Sequence, residues 1–147
     1  MKKLGLIAIV FVLVVACSQK PKTPPHHGAW KLVQAQGIKG DSVRTTFPTI
    51  WQGDQIKMWS EDYYIYVGKW KSNNREGDIF GGGTYTLDDK DYTEYIQYEF
   101  EKQYVGKVNK GMTLYLENDT LYQTYHPIDT LGNVRNDVTL LEKYVRY

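Results

Sequence analysis

The chain has 147 residues, the size of one ordinary domain, and 13 Tyr, four Trp and four Phe are among them. Eighteen basic residues against 17 acidic ones leave a net charge of +1, which gives no electrostatic basis for binding nucleic acid. The single cysteine excludes an internal disulfide framework and a multi-cysteine metal site, and the length excludes a multidomain enzyme. The excess of aromatics, with 13 Gly and few helix-forming runs, favours strands over helices.

Lys2 and Lys3 precede an apolar run from Leu4 to Ala16, broken only by Gly5. As a helix such a run rises about 20 Å, against about 30 Å for a hydrocarbon core, so it reads as the apolar segment of a secretory signal (1–16) rather than a spanning helix. The run ends in Val14-Val15-Ala16-Cys17, which resembles the lipobox of bacterial lipoproteins. That resemblance implies cleavage before Cys17, a diacylglyceryl group on its thiol, and a third acyl chain, such as palmitate, on the freed amine. The implied partner is a lipid bilayer, since two or more buried chains anchor a protein stably. Ser18 in the next position implies the outer membrane of a Gram-negative cell envelope as the destination.

Ser18 to Gly28 holds three of the five prolines and almost no apolar residue, so residues 17–27 read as a lipidated, extended tether. His26 and His27 within it lack a third ligand and read as polar linker. From Gly28 to Tyr147 the period is two. The predicted strands are Ala29–Ala35, Gln55–Trp59, Tyr63–Trp70, Ile79–Leu87, Tyr92–Glu101, Met112–Glu117, Thr120–His126 and Val138–Tyr147. Asn73–Asp78 reads as a loop, and Asn118-Asp119 as a tight hairpin turn. About eight strands joined by short turns, with no convincing helix, predict an all-β fold: a single antiparallel up-and-down barrel, with a two-sheet sandwich as the competing arrangement. Gly81-Gly82-Gly83 fits a bend or bulge at a barrel corner.

Strict alternation from Tyr92 puts Tyr92, Glu94, Ile96, Tyr98 and Phe100 on the apolar face. Glu94 is the odd member, a carboxylate that needs a partner or a raised pKa. Val138, Leu140, Glu142, Tyr144 and Arg146 share one face of the last strand.

Gly28-Ala29-Trp30, followed by Lys31-Leu32-Val33, resembles the GxW motif of lipocalins, and Arg146 stands where their last-strand Arg would be expected. Gly83-Thr84-Tyr85-Thr86-Leu87 and Tyr92-Thr93-Glu94-Tyr95-Ile96 look like a motif of small bacterial lipocalin-like (calycin-type) lipoproteins, whose role is largely unassigned. The resemblance covers about residues 28–147 and implies a calycin barrel whose end is closed by Trp30 under Arg146. A helix after the barrel and a TDY-type middle motif, which many lipocalins carry, are missing.

Two functions stand side by side. In one, the barrel binds a small, largely apolar ligand lined by Tyr85, Glu94, Tyr98 and Tyr125, with Tyr66 and Trp70 behind them. In the other, side chains fill the barrel and the chain is an envelope protein-interaction module, an inhibitor or assembly accessory, whose protein partner the sequence does not name. Trp51 is either a lid over the barrel mouth or part of such an interface. No catalytic constellation stands out beyond a weak Glu94 and His126 pairing, so no enzyme, cofactor or metal is expected.

Overall fold

The computed structural model describes residues 23–147, and in it the period-two pattern resolves into nine antiparallel strands. They are β1 (Gly28–Lys39), β2 (Ser42–Phe47), β3 (Gln52–Trp59), β4 (Tyr63–Ser72), β5 (Arg75–Asp88), β6 (Asp91–Glu99), β7 (Val108–Glu117), β8 (Thr120–Tyr125) and β9 (Thr139–Arg146). The signal segment and Cys17 lie outside the described residues.

Eight strands make a closed up-and-down barrel. β3 to β9 follow one another around the wall, and β1 pairs with both β3 and β9 to close it. Closure removes the open edges that such aromatic strands would otherwise present. β2 is the extra strand, a hairpin on the far half of β1. Its sequence, Ser-Val-Arg-Thr-Thr-Phe, carries too little alternation to announce a strand. The expected loop at Asn73–Asp78 is shorter than predicted. Asn73 and Asn74, at φ 47° and 63°, form a tight hairpin turn, and the strand resumes at Arg75. Asn118 and Asp119 repeat the device at φ 47° and 60°.

Register shifts occur in the β1–β2, β1–β9, β5–β6 and β6–β7 pairings, and two of them alter the alternation read from the sequence. In β1 the register with β9 shifts between Leu32 and Gln34, which leaves Val33 exposed and brings Ala35 inward. In β6 the register with β5 shifts between Gly82 and Gly83, so Gly82 faces Tyr98 while Gly83 faces Ile96. Gln97 is the extra residue. Beyond it the inward parity passes from Tyr98 to Glu99. The Gly-Gly-Gly run therefore lies at a bulge, as its composition predicted. Inward-facing Gly81 lies under the Tyr66 ring, where an added Cβ would come within 2.5 Å of the ring.

The end of the barrel where Gly28, Trp59 and Arg146 meet is here called the lower end. Its interior is packed solid by Trp30, Leu32, Trp59, Tyr64, Tyr92, Leu114, Leu121 and Tyr144, none more than 2% exposed. Arg146 lies over the Trp30 indole, 4.1 Å from the ring centroid. The end of the expected tether does not stand free of this surface. The Trp30 indole N–H donates to the His26 carbonyl at 2.7 Å, and Arg146 donates to the His27 and Pro25 carbonyls at 2.5 and 2.6 Å. Residues 24–27 form a turn, closed by the His27 N–H on the Pro24 carbonyl at 3.0 Å, and its remaining carbonyls find charged and indole donors at the barrel end, which is why they dock.

Candidate functional site

The upper half of the barrel is open. A cavity of about 360 Å³ lies there, walled by all strands from β3 to β9 and rimmed by Phe100, Glu101, Tyr104, Pro127 and Ile128 from the two upper connections. The choice between lined and filled barrel therefore resolves by height: the lower half is filled and the upper half is hollow.

A buried polar floor separates the two halves. Lys57 on β3 is 4% exposed and Glu94 on β6 is 7% exposed, and Lys57 Nζ lies 2.6 Å from Glu94 Oε1. Lys57 also donates to Gln123 Oε1 at 3.0 Å. The Trp59 indole donates to the Tyr92 hydroxyl at 2.8 Å, which donates to Glu94 Oε1 at 2.9 Å. The Lys57 ammonium lies 5.0 Å from the Tyr64 ring centroid and 5.1 Å from that of Trp59. Two buried charges are tolerable only when paired and hydrogen-bonded on all sides, and this set provides both. The oddity of Glu94 in the sequence is answered by a partner.

Above the floor stand two further carboxyl groups. Glu142 on β9 accepts from the Tyr125 hydroxyl at 3.0 Å and from the Tyr144 hydroxyl at 2.6 Å. Glu99 accepts from the Tyr66 hydroxyl. Burial pushes the Glu99 carboxyl above its usual range, against the lowering effect of that hydrogen bond. Burial also raises the Tyr66, Tyr125 and Tyr144 hydroxyls, with the carboxylates they touch adding to the effect. These tyrosines are therefore fixed proton donors over the physiological range. Asn109 on β7 lines the same cavity at 8% exposure, and its Oδ1 has no hydrogen-bond partner. Ile79, Ile96, Met112 and Leu140 supply the apolar wall.

Of the residues predicted to line a site, Glu94 and Tyr125 meet in this cavity, and Tyr66 joins them. Tyr98 does not. It is 67% exposed on the outer wall, because the bulge at Gln97 reverses the alternation. Tyr85 lies at the lower end, where its hydroxyl donates to the Ser60 carbonyl at 2.6 Å and meets His26 Nε2 at 3.0 Å and His27 Nε2 at 3.2 Å. The two linker histidines are thus part of the lower surface. Trp70 covers Gly77, where an added Cβ would lie 2.9 Å from the indole nitrogen. Trp51 packs on Phe47, ring centroids 4.4 Å apart, beside the core. His126 Nδ1 lies 2.9 Å from the Val138 carbonyl, whereas Glu94 bonds to Lys57, so the two make separate contacts.

Sequence reasoning missed Lys57, Glu99, Asn109, Gln123 and Glu142. Glu142 carried the same signal as Glu94, a carboxylate between Leu140 and Tyr144 on an apolar parity. Gln55-Lys57-Trp59 and Leu121-Gln123-Tyr125 place polar residues in line with inward aromatics. Among the described residues, no group of three or more His, Cys, Asp or Glu side chains could hold a metal ion. No protein-family model matches the chain, and no curated protein does. The class that the fold and cavity define is a closed eight-stranded β-barrel with a hollow, polar-floored upper half.

Proposed function

We propose that this protein is a membrane-tethered, lipocalin-like binding protein that holds a small molecule in the upper half of its barrel. The observation that carries the reading is the cavity: about 360 Å³, within the range of about 300–1,000 Å³ typical of small-molecule sites, with convergent polar groups on one side and an apolar wall on the other. The Gly28-Ala29-Trp30 motif with Arg146 stacked on the indole supports the family likeness. The lipobox ending at Cys17 supports the anchor, at the outer membrane of a Gram-negative envelope. An apolar ligand is what the aromatic content suggests, but the polar floor favours an amphipathic one.

The direction of the tether supports the same reading. Residues 24–27 dock at the lower end, and the chain between Cys17 and Thr23 can span at most about 20 Å. An anchor at Cys17 therefore holds the lower end toward the bilayer and leaves the cavity mouth facing the aqueous compartment. Exchange of ligand then proceeds from solution.

The test is native mass spectrometry of the protein extracted from its own membranes. The expected result is a chain carrying a non-covalent small molecule that is absent from a Leu140→Trp variant, in which the cavity wall is filled. A wild-type chain that carries nothing, or a filled variant that still carries the molecule, contradicts the reading.

One observation favours the alternative, a protein-interaction module. On the outer wall Met58, Ile65, Gly82 and Tyr98 form one row across β3 to β6, and Ile56, Val67 and Phe80 form the next, with Phe100 6.4 Å from Phe80 between ring centroids. Phe80 and Tyr98 are 51% and 67% exposed. Such a patch is what a partner-binding face requires. An empty wild-type barrel in the same experiment favours this alternative.

A further inference from the structure

The donors and acceptors of the upper cavity do not balance. The charged donor and most of the phenolic donors around its floor are already used. Lys57 Nζ donates to Glu94 and Gln123, the Tyr66 hydroxyl to Glu99, and the Tyr125 and Tyr144 hydroxyls to Glu142. The carboxylates of Glu99 and Glu142 and the Asn109 amide oxygen keep unused acceptor capacity. The charges are equally lopsided, because Glu94, Glu99, Glu101 and Glu142 line the cavity against Lys57 alone. Lys57 is committed to Glu94 at 2.6 Å. Among the described residues neither Glu99 nor Glu142 has a cationic side chain within ion-pair distance.

A group of carboxylates alone would be no more than an acidic surface. Asn109 makes the difference. It is a neutral residue, more than nine-tenths buried, on the wall of the same cavity, and its Oδ1 is the one buried side-chain oxygen among the described residues that has no partner. A buried amide oxygen left unpaired costs about 1–3 kcal/mol, and a donor arriving in the cavity recovers that cost. Burial of Glu99 adds the same demand, since desolvation holds its carboxyl above its ordinary pKa and a positive charge beside it would offset that cost.

Resting on the reading that this cavity holds a small molecule, we propose that its ligand is a small organic cation bearing N–H donors, a primary ammonium or guanidinium on an apolar body. The charged head is received by the acceptor set of Glu99, Glu142 and Asn109, and the apolar body lies against Ile79, Ile96 and Leu140. Charge-assisted hydrogen bonds to a carboxylate inside a partly closed cavity are roughly twice as strong as neutral ones, so the head rather than the body sets selectivity. Lys57 contributes by the opposite route. Its charge is cancelled by Glu94, so it neither repels the cation nor attracts an anion.

The experiment compares three probes that share one skeleton and differ in charge: 2-phenylethylammonium, 2-phenylethanol and phenylacetate. Each is titrated into the detergent-solubilised full chain, and binding is followed by ligand-observed NMR. The expected result is that the ammonium binds at least about tenfold more tightly than the alcohol, which is the worth of one charge-assisted hydrogen bond, and that phenylacetate binds weakest. In Glu142→Gln, whose amide oxygen still accepts from Tyr125 or Tyr144, the preference for ammonium over alcohol falls toward unity, because the ammonium loses more affinity than the alcohol. Glu99→Gln, at a half-buried position, gives the same narrowing independently. Equal or tighter binding of the alcohol or phenylacetate overturns the cation proposal and leaves the small-molecule reading standing. A preference that survives both substitutions overturns the assignment of the acceptors. No binding by any of the three probes, together with an empty barrel in mass spectrometry, overturns both.

Discussion

Lys57 is the residue on which the interior of this barrel turns. It is more buried than most of the apolar side chains among the described residues, and its ammonium is met by Glu94 Oε1, Gln123 Oε1 and the faces of Tyr64 and Trp59. Breaking one member of a buried ion pair leaves the other charge without compensation, which costs about 3–5 kcal/mol, whereas replacing both by apolar residues is often neutral. Lys57→Met is therefore expected to destabilise the protein by about 3 kcal/mol or more in urea unfolding, and Lys57→Met with Glu94→Leu to recover most of the loss. Equal stability of the single and double variants contradicts a floor held by this pair. Glu94 was legible in the sequence because it interrupts an apolar parity. Lys57 was not, because its neighbours Ile56 and Met58 suggest that their own parity faces inward. In fact Ile56 and Met58 belong to the outer wall, and the polar members of β3 face the interior along with Trp59.

At the scale of elements, strand identity was legible and strand register was not. Alternation, the Asn-rich turns and the glycine run located most of the strands, since those signals are local. The bulge at Gln97 depends on pairing between β5 and β6, which no local pattern encodes, and it exchanged Tyr98 for Glu99 in the cavity wall. The docking of residues 24–27 is a similar case, because its donors, Trp30 and Arg146, come from opposite ends of the chain. That docking is expected to depend on pH. Burial, with the neighbouring His27 and Arg146 charges, lowers the His26 pKa from 6.5 to about 4. A group whose folded pKa is lowered takes up its proton more readily in the unfolded or undocked state. Its contribution is therefore complete above about pH 6.5 and is lost as pH falls toward about 4. His26 is partly exposed, and solvent screening reduces the effect to about 1 kcal/mol. Protection of the Trp30 indole proton, which bonds to the His26 carbonyl, taken relative to its intrinsic exchange rate at each pH, is expected to fall over that interval in the wild type and to stay nearly flat in His26→Gln. Identical pH profiles in the two proteins contradict the assignment to His26.

At the scale of the whole molecule, the sequence made a barrel legible and left its contents open. Eight of the thirteen tyrosines show three different ends: Tyr64, Tyr92 and Tyr144 fill the lower half, Tyr66 and Tyr125 hold carboxylates in the upper half, and Tyr63, Tyr98 and Tyr147 face outward. Composition reports their sum, and only the closed wall separates the roles. Division into a packed lower half that carries stability and a hollow upper half that carries chemistry is the central claim. Its most direct test is a crystal structure of the protein purified from its own membranes. The account predicts density for a small molecule above the Lys57–Glu94 floor, in contact with Glu99, Glu142 or Asn109, and none below it. An upper half packed shut by Tyr66, Tyr125 and Ile128, or a molecule seated instead on the outer face at Phe80 and Tyr98, would contradict it.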